Sequence, residues 1–485
     1  MNKILALFFI TISILTGLSF EGFANIRLPA VLSSNMVLQQ QSTVNLWGWS
    51  SPGEKIFITT SWGSAIDSTV ASGDAKWNIA IKTPAAGGPY TITFKGNNTI
   101  VLNNVMIGEV WVCSGQSNME WSSLNGLPQI DAELPNSANP NIRFFHIPKT
   151  TALTPQEDCV ATWTECNPET LKSFSAVAYY FGKQLQQKLN IPIGLINTSW
   201  GGTPAEVWTP EDLVENDPEL KTAAAKIGAT NWWPIAPGRA YNAMISPITS
   251  FDIAGAIWYQ GESNAGTAST YKQLMTTLID SWRKDWNKNI PFYYVQIAPF
   301  AYGNKNIGAL LREAQTQTLT HPNTGMAVIT DLVDNVKDIH PKNKKDVGTR
   351  LAAWALAETY KKEGITYKSP MYKNMEVNKN KVTVYFDNVP NGLVIKGGEK
   401  KATEFYIAGD DKNFLPADVK IDGDHVILTN KQIKNPVAVR FAFSNTAIAN
   451  IFSKETSPNG QARPGLPVNP FRTDDWDVDT GSDQK

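Results

Sequence analysis

Three rhythms of apolar and polar residues divide the chain. From about Asn25 to Asn104, short alternating runs are separated by turn chemistry: VNLWGW, then Ser51-Pro52-Gly53, then KIFITT, with KWNIAI and PYTITF further on. Period two punctuated by Gly and Pro predicts a β-sandwich-like N-terminal domain over 25–104. From Val105 to about residue 370, strand-length apolar runs alternate with stretches of helical period; the runs are 106–113, 191–196, 253–259, 292–297 and 326–329. Phe174, Val177, Ala178, Phe181, Leu185 and Leu189 share one helical face, with Ser173 as the expected N-cap. Tyr271, Leu274, Met275, Leu278, Ile279, Trp282 and Trp286 mark a second helix. A third follows Pro341, placed in its first turn, and buries Leu351, Trp354, Ala355 and Leu356. Such alternation predicts βαβ units, hence an α/β domain over 105–370 with a parallel sheet covered on both faces. Beyond Met371, period two returns in KVTVYF, EFYIAG, HVILTN and AVRFAF. This predicts a C-terminal β region over 371–485, whose tail from Ser457, rich in Pro, Gly, Asn and Asp, reads as irregular and partly disordered.

Ahead of these regions, Lys3 is followed by an uncharged apolar run from Ile4 to Leu18, with the small residues Gly22 and Ala24 just beyond. That pattern predicts a secretory signal peptide over 1–24 and a mature chain starting near Asn25. No later segment approaches the roughly 20 apolar residues of a membrane helix, so the expectation is an exported, periplasmic or secreted protein with no membrane partner after cleavage. With 485 residues and a net charge of −1, the chain has room for several cores and lacks the basic surface that nucleic acid requires. Hydrophobic residues at 42% say globular, and 16 Trp in an exported chain fit carbohydrate contact as well as ordinary core packing. Three Cys exclude a disulfide-stapled scaffold and an all-Cys metal cage. Cys159 and Cys166 are close enough in sequence for a small local disulfide, while Cys113, inside VWVC, reads as a buried thiol.

Four segments at the ends of the expected parallel strands carry chemistry, and that edge is where ligands bind in open α/β sheets. In GEVWVCSGQSNMEW a strand enters a tight turn before a helix starting near Met119, lifting Ser117 above the sheet edge. A serine there either attacks a carbonyl, with its own N–H facing the oxyanion, or merely caps the helix. In IPIGLINTSWGGTPAEVW the strand runs into Gly201 and Gly202, either oxyanion donors or an ordinary tight turn. In IAGAIWYQGESN the strand ends at Gln260, whose amide either points at an oxyanion or satisfies loop backbone. In DNVKDIHPKNKKDVGTRLA, His340 lies in a loop with Asp338 two residues before it. Of the four His, His425 falls in the C-terminal β region, His146 inside the strand-like RFFHIP and His321 at a helix end. His340 is left as the base, with Asp338 to hold its tautomer.

GQSNM, WGGT, WYQGESN and DIHP, in this order, resemble the sialate O-acetylesterase and acetylxylan esterase branch of the SGNH-hydrolase superfamily. The resemblance covers most of the mature chain and includes the leading RLPAVLSSNMVLQ and the closing GLPVNPFRTDDW. It implies a flavodoxin-like three-layer domain flanked by the two β regions, and a serine ester hydrolase releasing acetyl groups from sugars without metal or cofactor. Ser117 would be the nucleophile, His340 the base and Asp338 its orienter. The oxyanion hole would comprise the Ser117 N–H, a glycine N–H from Gly201 or Gly202, and the amide of Gln260. Gln116, Asn118, Glu262 and Asn264 would contact substrate. Where the wider superfamily has Gly-x-Asn-Asp, this chain has Gln-Gly-Glu-Ser-Asn, so Asn264 competes with Gln260 as donor. The implied substrate is acetylated sialic acid, whose carboxylate would call for an Arg such as Arg239, Arg312 or Arg350; acetylated xylan or another plant glycan is the runner-up. A reading of another class is a carbohydrate-binding protein built on an inactive esterase fold.

Overall fold

The structure is a computed structural model and describes residues 25–399, 401–456 and 461–482. The expected signal peptide, 1–24, lies outside the described residues. At its centre is a seven-strand sheet: β1 (Thr99–Gly115), β2 (Asn139–His146), β3 (Trp163–Cys166), β4 (Ile193–Ser199), β5 (Gly255–Tyr259), β6 (Phe292–Val295) and β7 (Thr324–Ala327). Their order is β7-β6-β5-β1-β4-β2-β3. All neighbours are parallel except the edge strand β3, which runs antiparallel to β2. β1 has β4 on one side and β5 on the other, so its C-terminal end is a switch point of the kind at which ligands bind in open α/β sheets.

Two apolar layers explain why these strands read as unbroken hydrophobic runs. Along β1, Val110 and Val112 join the layer that includes Tyr271, Leu278 and Leu311, while Trp111 and Cys113 join Val177, Phe181 and Leu351 on the other face. The first layer is covered by α3 (Ala268–Asp285) and α4 (Ile307–Thr318), and the second by α2 (Ala176–Leu189) and α5 (Lys344–Trp354); α1 is the single turn Ser117–Glu120. Two helix starts differ from expectation. The N-cap of α2 is Ser175, whose Oγ accepts the Ala178 N–H at 3.1 Å and donates to the Met119 carbonyl; Ser173 instead ends the preceding short helix Pro168–Lys172. Asn343 caps α5, accepting the Asp346 N–H at 3.0 Å, so Pro341 stands outside the helix.

The expected boundary between Asn104 and Val105 falls inside β1, which serves both regions. Its first half pairs antiparallel with Gly87–Lys95 of the N-terminal β sheet, and its second half is the middle of the parallel sheet. The C-terminal region folds around its own core of Val382, Val384, Phe405, Ile407, Val426 and Phe441. Within the described part of its tail, Ala462–Pro467 pairs with Ile451–Thr456, and Phe471–Arg472 with the strand at Ala438–Phe441. Ion pairs hold it there, Arg472 to Glu313 of α4 at 2.8 Å and Arg440 to the buried Asp474 at 2.7 Å. All three cysteines are free thiols, so the Cys159–Cys166 bond is not formed; Cys113 is buried, and burial pushes its thiol well above the usual range. Among the described residues no helix is long and apolar enough to cross a membrane.

Candidate active site

The site is assembled at the end of β1. Gly115 has φ +138°, and a Cβ placed on it would lie 2.2 Å from the Tyr259 carbonyl oxygen of β5. Only glycine lets β1 run this close to its neighbour as it turns. The Gln116 N–H then donates to that same carbonyl at 3.0 Å, and Ser117 emerges partly exposed as the first residue of α1.

The structure brings Ser117 and His340 together across 223 residues of sequence, with Nε2 of the imidazole 2.9 Å from the serine Oγ. Asp338 is engaged less directly. Its Oδ1 accepts the His340 backbone N–H at 2.9 Å but stands 3.6 Å from Nδ1, beyond an ordinary hydrogen bond, and its side chain is 42% exposed. A residue to which the motif reading gave no role also fixes the ring: Trp121, on the nucleophile turn, stacks on His340 at 4.1 Å with 19° between planes. Burial, and then the nearby Lys344 ammonium, lower the His340 pKa, with Asp338 opposing. The imidazole is therefore neutral and able to accept a proton near neutral pH.

Around the serine, the N–H groups of Ser117 and Gly202 donate to no protein acceptor among the described residues. Gly202 sits at φ +80° against the ring of Trp233. The Gly201 N–H, by contrast, is taken by the carboxylate of Glu120, which pairs with Lys149 at 2.6 Å.

The third motif differs most from expectation. Gln260 is fully buried; its Nε2 donates to Asn264 Oδ1 at 2.7 Å and to the Thr203 carbonyl at 3.3 Å, and its Oε1 accepts the Tyr271 hydroxyl. Both amide protons are committed, so Gln260 braces the loop and does not point at the serine. Asn264 is equally enclosed: Oδ1 also takes the Ala205 N–H, and Nδ2 donates to the buried Glu206, whose pKa burial raises. Neither competing amide is free. Gln116 accepts from the N–H groups of Gly261 and Ser263 at 3.3 and 3.4 Å. Asn118 and Glu262, expected at the substrate, are buried against each other, Asn118 Nδ2 donating to Glu262 Oε1 at 2.6 Å. These polar residues sit beneath the reacting groups as a scaffold. Trp121, Glu120, Glu206 and Lys344 carried no local signal, since each matters through partners in distant segments. Among the described residues no cluster of three or more His, Cys, Asp or Glu could hold a metal ion.

Residues 107–357 match the family described as carbohydrate esterase, sialic acid-specific acetylesterase. The sialate O-acetylesterases of Pongo abelii and Homo sapiens are each 30% identical over 391 residues, covering 72% of this chain and 74% of theirs. The crystal structure of a carbohydrate acetylesterase from Xanthomonas citri superposes with a TM-score of 0.83 at 34% identity, covering 93% of this chain and 100% of that one.

Proposed function

The chain belongs to the carbohydrate esterase family of sialic acid-specific acetylesterases, and from that premise we propose that Ser117 and His340 carry out its reaction. It is a carboxylic ester hydrolase of sugar O-acetyl groups. The observation that supports the assignment is the 2.9 Å contact between the Ser117 Oγ and the neutral His340 Nε2. Ser117 attacks the acetyl carbonyl as its proton passes to His340, and the tetrahedral oxyanion collects the unpartnered N–H groups of Ser117 and Gly202. The protonated imidazole then gives its proton to the leaving sugar oxygen, leaving an acetyl-serine. Water activated by His340 releases acetate by the same steps in reverse.

Asp338 tunes this base more than it holds it. Asp338→Asn should lower kcat by about tenfold or less, far below the roughly 10⁴-fold loss seen where such a carboxylate is buried on Nδ1. The sign of the pH effect is fixed. His340 works when deprotonated, so kcat/KM rises with pH through its pKa, and burial puts that acid limb below the ordinary value of about 6.5. Removing the Asp338 charge, which raises the pKa, should carry the limb to still lower pH. A limb displaced upward would refute this electrostatic account.

As substrate we propose O-acetylated sialic acid, on the strength of the 30% identical sialate O-acetylesterases. A second reading, an acetylated neutral plant glycan such as xylan, is favoured by how the arginines are used. Arg239 pairs with Glu211, Arg350 pairs with Asp331 at 2.6 Å, and Arg312 is buried on the Ser444 carbonyl, so each is engaged away from Ser117. Of the lysines around the nucleophile turn, Lys149 is paired with Glu120 and Lys344 is buried on Asn118. Measured acetate release should be faster from O-acetyl sialic acid than from acetylated xylo-oligosaccharide; the reverse order would establish the second reading. Export to the periplasm or medium belongs to the same proposal and rests on the apolar run within residues 1–24.

A further inference from the structure

Beneath the serine and the imidazole lies a charged cluster that the hydrolytic steps leave unused. Lys344, the first residue of α5, is 1% exposed, and its Nζ donates to Asn118 Oδ1 at 2.5 Å. The same ammonium lies 5.6 Å from the ring centre of Trp121 and 5.4 Å from that of Tyr259. Asn118 passes the contact on, donating to Glu262 Oε1 and, at 3.0 Å, to the carbonyl of Ile339, the residue before the base. The other Glu262 oxygen is buried with no hydrogen-bond partner among the described residues. Burying a lysine and a glutamate is costly, and it brings the Lys344 ammonium down to about 7 and raises the Glu262 carboxyl. Ordinary packing would be served better by apolar side chains in that space.

The cluster's contacts converge on His340. Trp121 is shared, stacking on the imidazole while it lies within reach of Lys344. The Ile339 carbonyl anchors the base loop. The carboxylate that would otherwise orient the ring stands 3.6 Å away and half in solvent. We infer that Lys344 is a positioning residue for the base: through Asn118 it ties the nucleophile turn to the base loop, it supports the Trp121–His340 stack, and it sets a positive charge beside the imidazole. The inference rests on the Ser117–His340 reading and adds how that pair is held.

The groups that face His340 are Asp338 on its own loop, Ser117 on the nucleophile turn and Lys344 on α5. Those around Lys344 are Glu262 after β5, Tyr259 on β5 and Asp338. Below neutrality Lys344 is charged and depresses His340, so its removal raises the acid limb, opposite to the Asp338→Asn effect.

The test uses the full chain and a chromogenic acetate ester, which makes it independent of the sugar. Lys344→Met should lower kcat by on the order of 10-fold to 100-fold with KM little changed, the loss expected from a slightly misplaced base. The acid limb of kcat/KM should move to higher pH. A lower kcat with the limb unmoved or shifted down, or full activity, overturns the inference. If Lys344→Met does not fold, the doubly neutral variant K344M/E262Q is read in the same way, and failure of both to fold makes Lys344 structural and overturns it too. Turnover that survives Ser117→Ala would instead sink the nucleophile assignment, a separate outcome.

Discussion

Ser117→Ala is expected to remove acetate release almost entirely, by about 10⁶-fold in kcat, while the protein stays folded. Ser117 is partly exposed and its hydroxyl hydrogen-bonds to His340 Nε2 at 2.9 Å, so the loss of that hydroxyl should change stability by no more than about 1 kcal/mol. His340→Ala should fall in the same range, because nucleophile and base act as a unit and losing either loses both. The residual rate would come from the N–H groups of Ser117 and Gly202, which remain. Thermal melting alongside acetate release separates the outcomes: a folded Ser117→Ala protein with near-wild-type turnover refutes the site. An organophosphonate ester should label the parent chain and leave Ser117→Ala unlabelled. A parent chain that resists labelling and still binds glycan would return the fold to a binding role.

Gly115→Ala should be the most damaging single-methyl addition near the site. The new Cβ would stand 2.2 Å from the Tyr259 carbonyl oxygen and 2.7 Å from its carbon, on backbone at φ +138°. Neither atom belongs to a flexible side chain, so β1 and β5 must separate, stretching the bond from the Gln116 N–H to Tyr259. Overpacking and the unfavourable φ together cost roughly 2–4 kcal/mol. Displacing Ser117 by an ångström would lower kcat by about 100-fold in whatever folds. Lower melting temperature and lower kcat should appear together; unchanged values in both would show that the turn opens without resistance.

The central strands were legible because both faces of each are buried, so alternation between layers leaves a continuous apolar run such as Val110 to Cys113. Boundaries were less so. Ser173 and Ser175 flank Phe174, and helical period cannot choose between two candidate caps; the Met119 carbonyl, 56 residues away, selects Ser175. Within the described part of the tail, composition does not show that Val468 and Phe471 join the C-terminal core or that Arg440 and Arg472 find ion-pair partners there. In the site, Ser117 and His340 follow from motif and elimination. Gln260, Asn264, Asn118 and Glu262 were legible as polar residues near the chemistry but not as a scaffold.

By itself the chain's order of residues determined whatever depends on backbone preference and neighbouring side chains: the strands, the glycine turn that raises Ser117, the histidine loop, and motifs whose spacing resembles a sugar acetylesterase. The tertiary structure alone decided which polar groups are spent and which are free. An amide is saturated or available according to partners brought in from elsewhere, as Lys344 reaches Asn118 across 226 residues and Asn118 reaches Glu262 across 144. Hydrogen bonds act over about 3 Å in space and are indifferent to distance along the chain, so the division between scaffold and reacting group exists only once the loops have met.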